Sequence, residues 1–170
     1  MKSRRVILAV IVLIVAVAFQ TTLFARIRPF DAAPALVMLV VIAYARVLPA
    51  EWSLLYGFGG GLLQDLLSEN PLGLWALVMT TVAFGTIRFR DRVEDDFGLI
   101  APFVLVLTIG GLTLFSVLGT IFGEKTLADA GVIKKVVLPA VYNVVLAPAI
   151  LPLAGWTLGL ARRRGSALSL

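Results

Sequence analysis

Six apolar runs separated by short polar breaks follow one another along the chain. They cover residues 6–24, 32–48, 52–67, 72–87, 99–122 and 132–160. A helix needs about 20 mainly apolar residues to cross the hydrocarbon of a bilayer. Because 60% of the 170 residues are hydrophobic and only 15% are charged, a soluble core could not hide this much apolar surface. The pattern predicts an all-α polytopic membrane helix bundle of about six transmembrane helices, forming a single domain over residues 1–170.

The composition excludes several kinds of chemistry. The chain has no cysteine and no histidine, so disulfides, thiolate or imidazole metal sites, and Ser-His or Cys-His catalysis cannot occur. No motif typical of nucleotide, metalloprotease or hydrolase sites is present. The net charge of +5 is explained by basic loops that face anionic headgroups. We therefore predict membrane lipid as a partner and no catalytic residue, cofactor, metal or nucleic acid.

The first apolar run has two interpretations. It follows the basic residues Lys2, Arg4 and Arg5, and residues 16–18 resemble a signal-peptidase site. The run continues past that site, which favours a transmembrane helix that stays in the protein.

Several other runs depart from a standard span. Runs two to four are short, and the glycine-rich third run could be re-entrant instead of spanning. The sixth run carries Pro139, Pro148 and Pro152, which we expect to kink its helix. We expect the side chain of Asn143 to bond a carbonyl freed by one of these prolines, with a place in a pocket wall as the alternative.

The third run has one small and polar face. On a helix that turns about 100° per residue, five small or polar residues fall within roughly a 100° arc, namely Gly57, Gly61, Gln64, Asp65 and Ser68. Leu55, Leu62 and Leu66 lie on the opposite side. The spacing of Gly57 and Gly61 would let a neighbouring helix backbone approach closely.

Asp65 is the one acid inside an apolar run, and it has two interpretations. An acid in a membrane usually faces protein or water, so Asp65 could be a proton or ion site. Alternatively, it accepts an interhelical hydrogen bond or caps the turn that follows. No partner acid, lysine or histidine lies nearby in the sequence, which favours the structural interpretation.

The stretch that begins at Gly57 resembles the signature of the MreD family of rod-shape-determining membrane proteins. That signature is G-F-x-x-G-x-x-x-D-h-h-S, where h is apolar, followed by a leucine-glycine turn. The chain reads Gly57-Phe58-Gly59-Gly60-Gly61-Leu62-Leu63-Gln64-Asp65-Leu66-Leu67-Ser68 and then Pro71-Leu72-Gly73-Leu74. The chain length, the order of the apolar runs and Pro34 at the start of the second run are also similar. The glycine triplet at residues 59–61 is richer in glycine than the family pattern.

The resemblance implies a non-enzymatic scaffold in the bacterial inner membrane that pairs with the bitopic protein MreC. It also implies links to the actin-like MreB, to RodA and to an elongation transpeptidase, which together direct side-wall peptidoglycan synthesis. The family has no agreed catalytic residues, so Gly57, Gly61 and Asp65 carry over only as motif positions.

A second class of function is a substrate-binding subunit of an energy-coupling-factor vitamin transporter. These subunits also have six helices and a similar length. They dock their coupling partner through an Ala-x-x-x-Ala surface on the first helix, whereas here Leu13 follows Ala9 and Gln20 follows Ala16 at that spacing. A vitamin that co-elutes with the protein would favour this class, and a co-purifying bitopic partner would favour the scaffold.

The basic residues of alternate loops predict that both termini are cytoplasmic. With six spans, one side carries ten basic residues, which are Lys2, Arg4, Arg5, Arg46, Arg88, Arg90, Arg92, Arg162, Arg163 and Arg164. The other side carries five, which are Arg26, Arg28, Lys125, Lys134 and Lys135. A reporter that is active only outside the cytoplasm should therefore give no signal when it is fused to Leu170. A strong signal would contradict the six-span topology.

Overall fold

The computed structural model describes residues 3–26, 33–68, 71–93, 97–123 and 131–159. The chain forms six α-helices, which are α1 (Ser3–Arg26), α2 (Leu36–Ala45), α3 (Ala50–Leu66), α4 (Leu74–Phe89), α5 (Phe97–Ile121) and α6 (Val132–Thr157). A short 3-10 helix, Arg90–Arg92, follows α4. No strand occurs in these ranges, so the predicted all-α class with six helices is confirmed.

Three of the helices are long and apolar enough to cross a membrane. Their apolar windows are Arg5–Thr22 in α1, Gly98–Ile121 in α5 and Val132–Thr157 in α6. Helix α6 continues through all three of its prolines. Helices α3 and α4 have 17 and 16 residues, or about 25 Å each at 1.5 Å per residue, and α3 is continuous over that length.

The shortest helix lies at the centre of the bundle. Helix α2 has 10 residues, or about 15 Å, and it contacts each of the other five helices. Nine consecutive residues, Val37 to Ala45, are buried. A helix that is apolar on every side is stable only when every side is covered, and here protein covers it.

Helix α2 is shorter than the apolar run at residues 32–48 from which it forms. Prolines at both ends explain the difference. A proline disfavours the helical conformation in the residue before it, so the helix begins only after Pro34 and the chain leaves it before Pro49.

Side chains from other helices complete the N-terminal end of α2. The backbone N–H of Val37 donates to Oε1 of Gln20 in α1 at 2.9 Å. Nδ2 of Asn143 in α6 donates to the carbonyl of Ala35, the residue before α2, at 3.0 Å. The expectation that Asn143 bonds a carbonyl freed by a proline is therefore wrong, because its amide instead reaches the carbonyl of Ala35, which also accepts the backbone N–H of Leu39 at 3.0 Å.

An arginine completes the C-terminal end of α2. Nη1 of Arg90 donates to the carbonyl of Ala45 at 2.9 Å and to that of Leu48 at 2.6 Å. A cation is favoured where the last carbonyls of a helix concentrate negative potential. The hydroxyls of Tyr44 and Thr157 also share a hydrogen bond of 2.8 Å, which joins this end of α2 to the last turn of α6.

The start of α1 and the end of α6 lie beside each other. A Cβ built on Gly159 would be 3.4 Å from Nη2 of Arg5. This neighbourhood agrees with termini on one side of the membrane, and the cytoplasmic orientation stays a prediction. The basic residues Lys2, Arg28, Lys125 and those at 162–164, which entered the loop count, lie outside the described residues.

Candidate functional site

Two glycines of α3 lie directly against the backbone of α4. A Cβ on Gly57 would be 2.8 Å from the carbonyl oxygen of Met79 and 3.0 Å from Cβ of Ala83. A Cβ on Gly61 would overlap the carbonyl oxygen of Trp75 and Cα of Ala76. At both positions only glycine leaves room for the neighbouring chain.

The opposite side of α3 faces away from the bundle. Leu55 and Leu66 are 61% and 63% exposed, whereas Gln64 and Asp65 are buried. The polar face at residues 57–68 is therefore turned toward the protein, and the leucines are left for lipid or for another chain.

The carboxylate of Asp65 binds the first turn of α4. Oδ1 accepts a hydrogen bond from the backbone N–H of Trp75 at 2.9 Å, and Oδ2 accepts from Gly73 at 3.0 Å and from Ala76 at 3.1 Å. The first N–H groups of a helix have no partner within the helix, and an anion there is also favoured by the helix dipole. Asp65 is 1% exposed, so this cap comes from the preceding helix and is almost free of solvent.

The remaining motif residues shape the turn between α3 and α4. Oγ of Ser68 donates to the carbonyl of Asp65 at 3.3 Å. The N–H of Leu74 donates to the carbonyl of Pro71 at 3.2 Å. Gly73 has a φ of +95°, a left-handed conformation that favours glycine, and this brings its N–H toward Asp65.

Gln64 is the motif residue whose side chain takes no part in this turn. It is 7% exposed, and its Oε1 accepts no hydrogen bond from any described residue. The motif thus divides into Gln64, whose side chain makes no contact with α4 by hydrogen bonding, and the residues that join the two helices. Six of its residues join α3 to α4, which are Gly57, Gly61, Asp65, Ser68, Pro71 and Gly73.

Chemically, this arrangement can hold two helices together. Both oxygens of Asp65 are engaged by backbone donors. No group of three or more acidic side chains that could hold a metal ion occurs within the described ranges. The contacts support the structural interpretation of Asp65, which stays a prediction.

Three other polar side chains also bond backbone groups of neighbouring segments. Reasoning from sequence misses this role for Gln20 and Arg90, and it singles out Asn143 but assigns it the wrong partner. Gln20, Arg90 and Asn143 each bond a backbone group at an end of α2. A single amide within an apolar run was a possible signal for Gln20 and Asn143, because a buried amide requires partners. Arg90 carried no such signal, since it lies in a charged loop.

Comparison with known families decides what kind of protein this is. The model of the family described as rod shape-determining protein MreD matches residues 1–154. The chain belongs to the MreD family. The match includes the whole α3–α4 motif and the first five helices. No curated protein and no solved structure matches the chain.

The glycine contacts of this MreD chain predict opposite effects at two neighbouring positions. Gly61→Ala should lower the free energy of unfolding by about 1–3 kcal/mol, the usual cost of overpacking. Gly59→Ala is the matched control, because a Cβ there meets nothing within 4 Å. It should leave stability unchanged or raise it by up to about 1 kcal/mol, since alanine favours helix. Unfolding of both variants in detergent measures the difference, and equal stabilities would contradict the close α3–α4 contact.

Substitutions of Asp65 should have graded effects on stability. Asp65→Asn keeps one oxygen but turns an amide N–H toward a backbone donor, so it should cost about 1 kcal/mol. Asp65→Leu leaves all three donors without this partner and should cost roughly 2–3 kcal/mol. Glu51→Gln, at the exposed start of α3, is the control and should cost only about 0.3 kcal/mol, the small contribution of an exposed charge to the helix dipole. If Asp65 takes up a proton or ion instead, both Asp65 variants should abolish function alike at normal protein abundance.

Proposed function

We propose that this chain is a non-enzymatic scaffold of the machinery that elongates rod-shaped bacteria, and that it pairs with a bitopic MreC-like protein. The observation that carries this proposal is the family match over residues 1–154. MreD is a family of rod shape determination and is not an enzyme family. The inner membrane is the proposed location, with residues 1–170 as one multi-pass domain.

The way the protein uses its polar groups supports a scaffold. The carboxylate of Asp65, the guanidinium of Arg90 and the amide of Asn143 all bond backbone groups of neighbouring helices. An active site, by contrast, holds acids or bases that are positioned to meet a substrate. The described polar groups are used to maintain the shape of the bundle.

The partner must meet a surface other than the glycine face. Gly57 and Gly61 are covered by α4 of the same chain, so they cannot also receive a helix from MreC. The surfaces open to a partner in the membrane are the outward sides of the helices, for example Ile14 on α1, Leu55 on α3 and Val145 on α6. The motif therefore acts on partner binding through the shape of the α3–α4 pair.

Photocrosslinking in native membranes tests the pairing. A photoreactive residue placed at Ile14, Leu55 or Val145, one position at a time, should capture a bitopic membrane protein at one or more of these positions. The same residue at Val78, which is buried against the other helices, is the control and should give only crosslinks within the chain.

The functional readout is cell shape. The chain should restore rod shape to cells depleted of their own MreD, and Gly61→Ala should restore it less well than Gly59→Ala. A chain that leaves the cells round at normal abundance, or a vitamin that co-elutes with the purified protein, would contradict the scaffold and favour the transporter subunit.

A further inference from the structure

Polar side chains from several helices surround the N-terminal end of α2. Gln20 of α1 accepts the N–H of Val37, and Asn143 of α6 donates to the carbonyl of Ala35. Nδ2 of Asn143 also lies 3.3 Å from Oγ1 of Thr108 in α5. Thr108 and Asn143 are both fully buried. An end of the central helix thus lies in a polar environment about halfway along α5 and α6.

The side-chain oxygen of Asn143 needs a donor. Its Oδ1 is buried and accepts no hydrogen bond from the described part of the chain. The amide cannot be turned over to correct this, because its oxygen would then face the carbonyl oxygen of Ala35, another acceptor. An unpaired carbonyl inside a membrane bundle costs several kcal/mol, so this oxygen requires an N–H or O–H group.

Gln64 of α3 carries a second such oxygen, and the register of the helices indicates that it lies near the level where α2 begins. One turn before it, a Cβ on Gly60 would lie 3.0 Å from Leu13 of α1 and 3.5 Å from Val41 of α2. Four residues join α2 to α3, so the two helices run antiparallel. Gln64 lies one turn after Gly60 in α3. In the antiparallel α2, the corresponding level lies one turn before Val41, where α2 begins. Oε1 of Gln64 is also buried and without a donor from the described residues.

We propose that the N-terminal end of α2 is a binding site for neutral hydrogen-bond donors, in which the O–H or N–H groups of water or of a small uncharged solute bind Asn143 Oδ1 and Gln64 Oε1. Buried waters in proteins commonly bridge polar groups that lack other partners. The site lies beyond the α3–α4 motif, and it does not depend on the scaffold function.

The charges around the site favour a neutral ligand. The positive end of the α2 dipole disfavours a cation, and two amide oxygens disfavour an anion. The nearest acid in sequence to Gln64 is Asp65, whose two oxygens are already bound to α4. The side chains that form the site, including Gln20 and Thr108, are uncharged.

Water-edited solid-state NMR of the full chain in lipid bilayers tests the site. Magnetisation from water should reach the side-chain amide of Asn143 at mixing times too short to reach two control positions. These controls are the amides of Val41, which is fully buried in α2, and of Val145, which is 69% exposed on the outer side of α6. Native mass spectrometry of the same protein detects any solute that occupies the site instead.

Each outcome decides the proposal. Fast transfer to Asn143 with the mass of the chain alone identifies water as the donor. Slow transfer together with the added mass of a small uncharged compound identifies a solute. Slow transfer, equal to that of Val41, with no added mass overturns the proposal.

A variant tests whether the two oxygens share one site. Gln64→Met removes one acceptor at nearly constant side-chain length and leaves the bond between Asn143 and Ala35 intact. Transfer to the Asn143 amide, or the bound mass, should be lost or reduced in this variant. Unchanged values in a folded variant would overturn the shared site.

Discussion

A backbone group that lies within hydrocarbon must find its hydrogen-bond partner inside the protein. This requirement is strongest for α2, the short helix at the centre of the bundle. Both ends of this ten-residue helix lie inside the bundle. At its N-terminal end Gln20 accepts the N–H of Val37 and Asn143 adds a second bond to the carbonyl of Ala35, and at its C-terminal end Arg90 donates to the carbonyl of Ala45. Because these side chains come from three different parts of the chain, their helices must all pack around α2. The bonds to the ends of one short helix thus join α1, α6 and the segment after α4 to the centre of the bundle.

The α3–α4 pair meets the same requirement at shorter range. A carboxylate can accept from backbone N–H groups at 2.9–3.1 Å only if the two helices approach closely at that end. Gly57 and Gly61 allow this approach because they place no side chain between the backbones. The glycines and Asp65 therefore act together. The close packing brings the carboxylate to the start of α4, and the carboxylate accepts the N–H groups that have no partner within α4.

The sequence predicts the all-helical class of the protein and its local contacts, but it does not predict contacts between residues far apart in the chain. Hydrophobic runs indicated six helices, and the periodicity of α3 separated its polar face from its leucines. The sequence allows Asp65 to be interpreted as a cap because its donors lie only 8 to 11 residues further along the chain, at the start of α4. The partner of Asn143 cannot be found in this way, because Ala35 lies 108 residues away in the sequence, and no local sequence pattern indicates a contact over that distance. Arg90 lies in a charged stretch, where arginine is common, so the sequence gives no sign that it bonds the end of α2.

The separation between α2 and its caps also has a consequence for biosynthesis. A membrane protein emerges from the ribosome from its N-terminus, so α2 is made well before Arg90 and Asn143 exist. During that interval the side-chain donors to the carbonyls of Ala35 and Ala45 are missing, and the helix is too short to cross the bilayer alone. We therefore expect α2 to stay near the membrane surface, or near the insertion machinery, until the later helices arrive. Its entry into the centre of the bundle is then a late event of assembly, completed only after α6 has been synthesised.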